Sequence, residues 1–162
     1  MKHYSAIIGY GGMGDWHYRN ITDRISEIEV KGIYDIREEA KEKAQDNGLH
    51  VYETLDQLLM DEEIDLVTIA VPNNFHKELA IACLQHGKNV ICEKPVAMNA
   101  LELEEIIVVA KETGKLFSIH QNRRWDKDYK IIKKILDDGT IGDPYFIESR
   151  VIGRSEEHTS EL

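Results

Sequence analysis

The chain has 162 residues, 42% of them hydrophobic, which is enough for one sizeable core, and length alone suggests one domain. Its formal net charge is −10, an acidic balance that argues against binding nucleic acid or an anionic membrane, because both attract basic surfaces. No apolar run approaches the length of a bilayer span, and Met1, Lys2, His3 and Tyr4 lead straight into a strand rather than a signal peptide, so a cytoplasmic protein is expected.

The first element is the apolar run Ala6, Ile7, Ile8, a strand. It is followed by Gly9, Tyr10, Gly11, Gly12, Met13 and Gly14, in which Gly9, Gly11 and Gly14 have the spacing G-x-G-x-x-G. Alone the hexapeptide says little. Here it follows a strand, opens a helix near Met13, and precedes a second strand over residues 29–35 that ends in an acid, Asp35, at the spacing of a ribose-binding carboxylate. Gly9 permits a tight turn, Gly11 lets the backbone approach a pyrophosphate, and Gly14 lets the helix pack close to the strand. The free N–H groups and the positive end of the helix then face the phosphates, so Gly9, Gly11, Gly12, Met13 and Gly14 are the expected phosphate-binding loop. Asp35 can accept from the adenosine ribose hydroxyls and would repel a 2′-phosphate, which favours NAD over NADP. Arg37 keeps NADP open, because a guanidinium there could pair with that phosphate. The competing readings are an ordinary strand-to-helix turn for the glycines and a helix N-cap for Asp35.

Beyond Asp35, residues 37–47 are charged, with Ala40 and Ala44 on one face and Gly48 as a stop, a surface helix. A short strand is expected at 50–52, and Thr54 with Gln57 forms a capping-box pattern for a helix to about Met60. Residues 64–71 are nearly all apolar, as in a parallel strand covered on both faces. Pro72, Asn73 and Asn74 end it. A helix over 75–86 stops at Gly87, and a strand follows at 89–92. Asn99 with Glu102 signals the next helix, which Gly114 ends, and 116–120 is the last strand of the alternation. Strand and helix alternate throughout, so the expected class is α/β, a doubly wound parallel sheet of the Rossmann nucleotide-binding type over residues 1–121. Cys83 and Cys92 form no C-x-x-C pair, and both are expected to be reduced. The seven histidines show no H-E-x-x-H spacing, so no metal is expected.

From Asn122 the character changes. Asn122, Arg123, Arg124, Trp125 and Asp126 lead into a helix carrying Tyr129, Ile132 and Leu136 on one face. Residues 145–152 read as the first strand of a different, more exposed sheet.

In an open parallel sheet, ligands lie at the carboxyl ends of the strands. Three polar clusters follow predicted strand ends and should converge there: Pro72, Asn73, Asn74; then Glu93, Lys94, Pro95; then His120, Gln121, Asn122. With these pieces the sequence resembles the Gfo/Idh/MocA oxidoreductase family. The matching residues are Gly9 to Gly14 with His17, the run from Pro72 to His76, above all Glu93-Lys94-Pro95 before a helix, and the run from Asn122 to Asp126. The resemblance implies an NAD(P)-dependent dehydrogenase that transfers hydride between the nicotinamide and a secondary hydroxyl of a sugar, inositol or related polyol. It implies that Glu93 contacts the nicotinamide-side ribose, that Lys94 reaches the reacting hydroxyl, that Pro95 fixes the turn through a cis peptide, and that Pro72, Asn73 and His76 line the cofactor groove, with Asn122 near the nicotinamide. Chemically, an ammonium beside a cationic nicotinamide has its pKa pushed down toward the range useful for proton transfer, which suits Lys94; the plainer reading is a surface lysine paired with Glu93. His76 can equally be a solvated or packed histidine, His17 reads rather as a packed helix residue, and Trp125 is equally a domain-interface anchor or a substrate contact.

Family members add a substrate and oligomerisation domain, so a homo-oligomer is implied for the full-length protein. Here residues 122–153 correspond only to a connecting helix and a first strand of it. Residues 154–162 resemble the translation of a sequencing-library adapter and are set aside as a non-native tail, so a truncated chain that binds cofactor without turning over substrate is expected. The alternative function is a non-catalytic, NAD(P)-binding regulator on the same scaffold. A reductase such as biliverdin reductase also fits the cofactor domain, though without specific support.

Overall fold

The computed structural model describes residues 2–148 and Arg150. The chain divides into two compact units, Met1–Gln121 and Asn122–Leu162. In the first, β1 (His3–Ile8), β2 (Ile28–Tyr34), β3 (His50–Val51), β4 (Leu66–Ile69), β5 (Asn89–Cys92) and β6 (Phe117–Ile119) form one sheet. Their order is β3-β2-β1-β4-β5-β6, and all pairs are parallel. The expected doubly wound sheet is therefore present, with the order reversing between β1 and β4, where such sheets open a crevice.

The helices are α1 (Gly12–Arg24), α2 (Glu38–Asp46), α3 (Leu55–Met60), α4 (His76–Gln85) and α5 (Ala100–Thr113). The centre of the sheet is apolar on both sides because successive residues of a strand face opposite ways. On β1, Ile7 joins Ile21 of α1, Ile33 of β2 and Ala40 and Ala44 of α2. Its neighbours Ala6 and Ile8 join Val67, Ile69, Val90 and Cys92 of the sheet with Ala80, Cys83 and Leu84 of α4 and Ile106 of α5. Two clusters on opposite faces of one strand are what a sheet sandwiched by helices requires.

The predicted helix signals work as side chains. The Thr54 hydroxyl accepts from the Gln57 N–H at the start of α3, and the Asn99 side chain accepts from the Glu102 N–H at the start of α5. Gly114 ends α5 in the left-handed region at φ 66°. Both cysteines are free and buried, and burial pushes their thiols up to about 12, which leaves them unreactive.

In the second unit a short 3-10 turn, Asn122–Trp125, precedes α6 (Lys127–Asp137), and the Lys130 ammonium lies 5.0 Å from the centre of the Trp125 ring. Residues 145–148, read as the start of a strand, are irregular; 151 and 152, which would complete it, and the expected tail at 154–162 lie outside the described residues. No described helix is long and apolar enough to cross a membrane.

Candidate active site at the carboxyl edge of the sheet

Four backbone hydrogen bonds trace one edge across the sheet. The Gly9 N–H donates to Tyr34 O at 2.8 Å, Ala70 N–H to Ile8 O at 2.8 Å, Glu93 N–H to Ile69 O at 3.0 Å, and His120 N–H to Cys92 O at 2.8 Å. The residues that follow β1, β2, β4, β5 and β6 are therefore level with one another. The glycine loop, Asp35, the Pro72 turn, the Glu93-Lys94-Pro95 turn and His120 all leave the sheet along this edge.

The glycine loop is fixed by space. Gly9 sits at φ 89°, and a Cβ there would run into the Ala70 carbonyl and the Val71 side chain. A Cβ on Gly14 would overlap the Gly9 carbonyl oxygen, so α1 can approach β1 only with hydrogen at this position. Gly12 stands in open space, and α1 starts from Gly11 without any side-chain cap. The first N–H groups of α1 are thus left for an anion, as a dinucleotide pyrophosphate requires. Met13 is exposed beside them.

Asp35 is buried and is held by the protein itself. Its Oδ2 accepts from the Tyr10 N–H at 2.7 Å and from Arg37 Nη2 at 2.8 Å, and its Oδ1 accepts from the Arg37 N–H at 2.9 Å and Nε at 3.1 Å. Burial alone would raise this carboxyl, but the Arg37 side-chain and backbone bonds and the Tyr10 N–H outweigh it and hold it below the usual carboxylate range. The N-cap of α2 is Arg37, not Asp35. The guanidinium, paired with Asp35, lies over the loop close to Gly11.

At the β4 end, Pro72 is exposed, Asn73 is half-buried in a 3-10 turn at Asn73–Phe75, and His76 opens α4 completely buried. The imidazole of His76 places Nδ1 2.9 Å from Pro95 O and Nε2 2.8 Å from Val71 O. From this buried position it ties the two turns together. The Lys94–Pro95 peptide is cis. Lys94 is exposed.

Glu93 is also turned inward. Its Oε1 accepts from His17 Nε2 at 2.8 Å and from His120 Nδ1 at 2.7 Å, and Oε2 accepts from the Lys94 N–H at 3.2 Å. Burial works to raise this carboxyl, yet the two imidazole hydrogen bonds prevail and keep it below its ordinary value. His17 is itself buried, and that burial lowers its pKa despite Glu93 beside it. Sequence reasoning included His17 in the resemblance without a role and placed His120 in the third polar cluster at the strand ends without giving it one. The only signal for His120 was its position directly after the last strand. Asn122 belongs to the second unit, at the start of its 3-10 turn.

An uncapped helix start facing a glycine turn, with a carboxylate held at the tip of the neighbouring strand, makes the first unit a dinucleotide-binding domain of the Rossmann class. Residues 4–121 match the profile of the oxidoreductase family with an NAD-binding Rossmann fold, GFO_IDH_MocA. The chain belongs to the Gfo/Idh/MocA oxidoreductase family, as the Glu93-Lys94-Pro95 pattern implied. It is 36% identical over 138 residues to scyllo-inositol 2-dehydrogenase (NADP(+)) IolW of Bacillus subtilis, a match covering 85% of this chain and 38% of that protein. Among solved structures it is similar to an NAD-binding protein from Listeria innocua, with a TM-score of 0.85 and 47% identity over 88% of this chain and 42% of that one. It is also similar to scyllo-inositol dehydrogenase from Lactobacillus casei with bound NAD(H) and scyllo-inositol, with a TM-score of 0.80 and 27% identity over 88% of this chain and 43% of that one. The chain spans about two fifths of the length of the curated relatives it matches.

Proposed function

We propose that this chain is the cofactor-binding part of a dehydrogenase that oxidises a secondary hydroxyl of a cyclitol, sugar or related polyol. The observation that carries the reading is Lys94: an exposed lysine on the turn after β5, level with the glycine loop along the sheet edge. A binding module or regulator has no need of a basic amine at that place. The nicotinamide dinucleotide supplies the hydride acceptor when bound. Lys94 takes the hydroxyl proton, and Gly9 to Gly14 with the first turn of α1 hold the pyrophosphate. Pro72 and Asn73 stand beside the cofactor. Glu93, committed to three protein donors, sets the turn from below in place of a direct ribose contact. The substrate domain is supplied by chain beyond these residues, residues 122–153 being its start, and the relatives' names support a polyol as substrate. Two buried free cysteines suit a cytoplasmic location.

The decisive test of Lys94 uses a longer polypeptide carrying this chain together with a region matching the rest of its relatives. Lys94→Ala is expected to lower kcat by about 10²-fold or more while cofactor affinity stays nearly constant. Unchanged turnover would remove Lys94 from the chemistry.

NAD is the favoured cofactor. The Arg37 guanidinium is neutralised by Asp35, so a 2′-phosphate would have to take it from a buried carboxylate. In fluorescence titrations of the chain, NADH is expected to bind more tightly than NADPH, and Asp35→Ser, which frees Arg37, to narrow or reverse the difference. An NADPH preference in the unaltered chain would overturn this assignment.

A further inference from the structure

Two imidazoles meet one carboxylate beneath the Lys94 turn, and they are not equivalent. Both hydrogen bonds end on Glu93 Oε1, and an ionised carboxylate only accepts, so His17 carries its proton on Nε2 and His120 carries one on Nδ1. His17 is enclosed, with 7% of its side chain exposed, whereas 22% of the His120 side chain is open. Trp16 packs against both rings, with centroids 5.3 Å and 5.5 Å away, and the two imidazoles stand edge to face at 4.6 Å. The ring of His120 is thus clamped, its Nδ1–H is committed inward, and its remaining nitrogen, Nε2, is the basic atom. A carboxylate that fixes an imidazole by one nitrogen sets the tautomer and stabilises the imidazolium that forms when the other takes a proton. The same carboxylate accepts from the Lys94 N–H, so the imidazole and the lysine share one anchor.

On the strength of the dehydrogenase reading above, we propose that His120, oriented by Glu93, is a second proton-transfer group of this site, relaying to solvent the proton that Lys94 takes from the oxidised hydroxyl. A bound nicotinamide would take the hydride, the hydrogen of the carbinol carbon with its electron pair. The hydroxyl O–H bond breaks and an N–H bond forms on Lys94; that N–H then breaks, directly or across a water, as one forms at His120 Nε2. Loss of the Nε2 proton to water restores the neutral ring. Glu93 stays ionised throughout. The titratable groups facing His120 are Glu93, from the β5 turn, and His17, from α1. His17 does not relay, because burial keeps it neutral; it is a positioning residue for Glu93.

Histidine side-chain nitrogen spectra of the ¹⁵N-labelled chain as a function of pH test the assignment. Neutral His120 is expected to carry its proton on Nδ1, with a bare Nε2. The opposite tautomer of His120 would overturn the proposal. Saturating NAD⁺, a cation at the nicotinamide, is expected to move the His120 ring-nitrogen resonances, and NADH to move them less. Failure of NAD⁺ to bind would sink the dehydrogenase reading, whereas NAD⁺ binding with an unmoved His120 would sink this inference alone. Glu93→Leu should release the ring, so that neutral His120 no longer holds its proton on Nδ1 alone. An unaltered tautomer in that variant counts against the pair, and if the variant does not fold, the tautomer and the NAD⁺ response of the unaltered chain decide.

Discussion

Gly14→Ala is expected to cost about 3 kcal/mol or more of folding stability and to abolish measurable NADH binding. The added methyl would occupy the place of the Gly9 carbonyl oxygen, and its next nearest neighbours are the Gly9 carbonyl carbon at 3.0 Å and Ile7 Cγ2 at 3.4 Å. Two of these three are main chain, so no rotamer change relieves the overlap. Either α1 moves away from β1 or the turn at Gly9 opens, and Gly9 is itself held by the Ala70 carbonyl on the other side. Forcing atoms into a packed site typically costs 1–3 kcal/mol, and a backbone clash lies at or above the upper end of that range. Against a total of about 5–15 kcal/mol for a domain, the midpoint of urea unfolding should move well down. Gly12→Ala is the control. Nothing lies within 4 Å of its added Cβ and its backbone is helical, so it should be neutral or slightly stabilising, by about 0.5 kcal/mol. If both variants melt with the wild type, helix and strand are not in the close contact on which the pyrophosphate site depends.

That loop was legible from the sequence because its chemistry is local. A strand, a turn that tolerates no side chain and a helix start lie within a few residues, and the requirement for glycine is written at each position. The caps at Thr54 and Asn99 were legible for the same reason. The Glu93 cluster was not. His17 and Glu93 are 76 residues apart, and Glu93 and His120 are 27 apart. They meet because α1 follows the central strand while β5 and β6 stack outward on its far side, a consequence of strand order that no spacing rule encodes. The inward turn of Glu93 and the placement of Arg37 over Gly11 were hidden likewise, since which way a polar side chain faces depends on partners from elsewhere in the chain. Residues 145–148 show the converse. Their alternating pattern reads as a strand, but alternation becomes a strand only with a neighbour to pair with, and the described strands all belong to the sheet of the first unit.

His76→Leu is expected to destabilise the chain by about 1–3 kcal/mol although the substitution nearly keeps the volume of the side chain. The imidazole is fully buried and each ring nitrogen meets a main-chain carbonyl, that of Val71 before the Pro72 turn and that of Pro95 after Lys94. A neutral imidazole donates from one nitrogen only, so leucine leaves the carbonyl that accepts from it without a partner, and an unsatisfied buried carbonyl costs about 1–3 kcal/mol. His76→Gln restores a donor and should recover part of the loss. The two carbonyls belong to turns that Pro72 and Lys94 occupy, so the damage should not be confined to stability. The Lys94 N–H, which donates to Glu93 Oε2 at 3.2 Å, should exchange with solvent faster in the leucine variant at a pH where the fold is intact. Destabilisation without faster exchange at Lys94 would mean that His76 braces α4 alone. Destabilisation together with faster exchange would show that the lysine is held in place through a histidine that touches neither it nor the space in front of it.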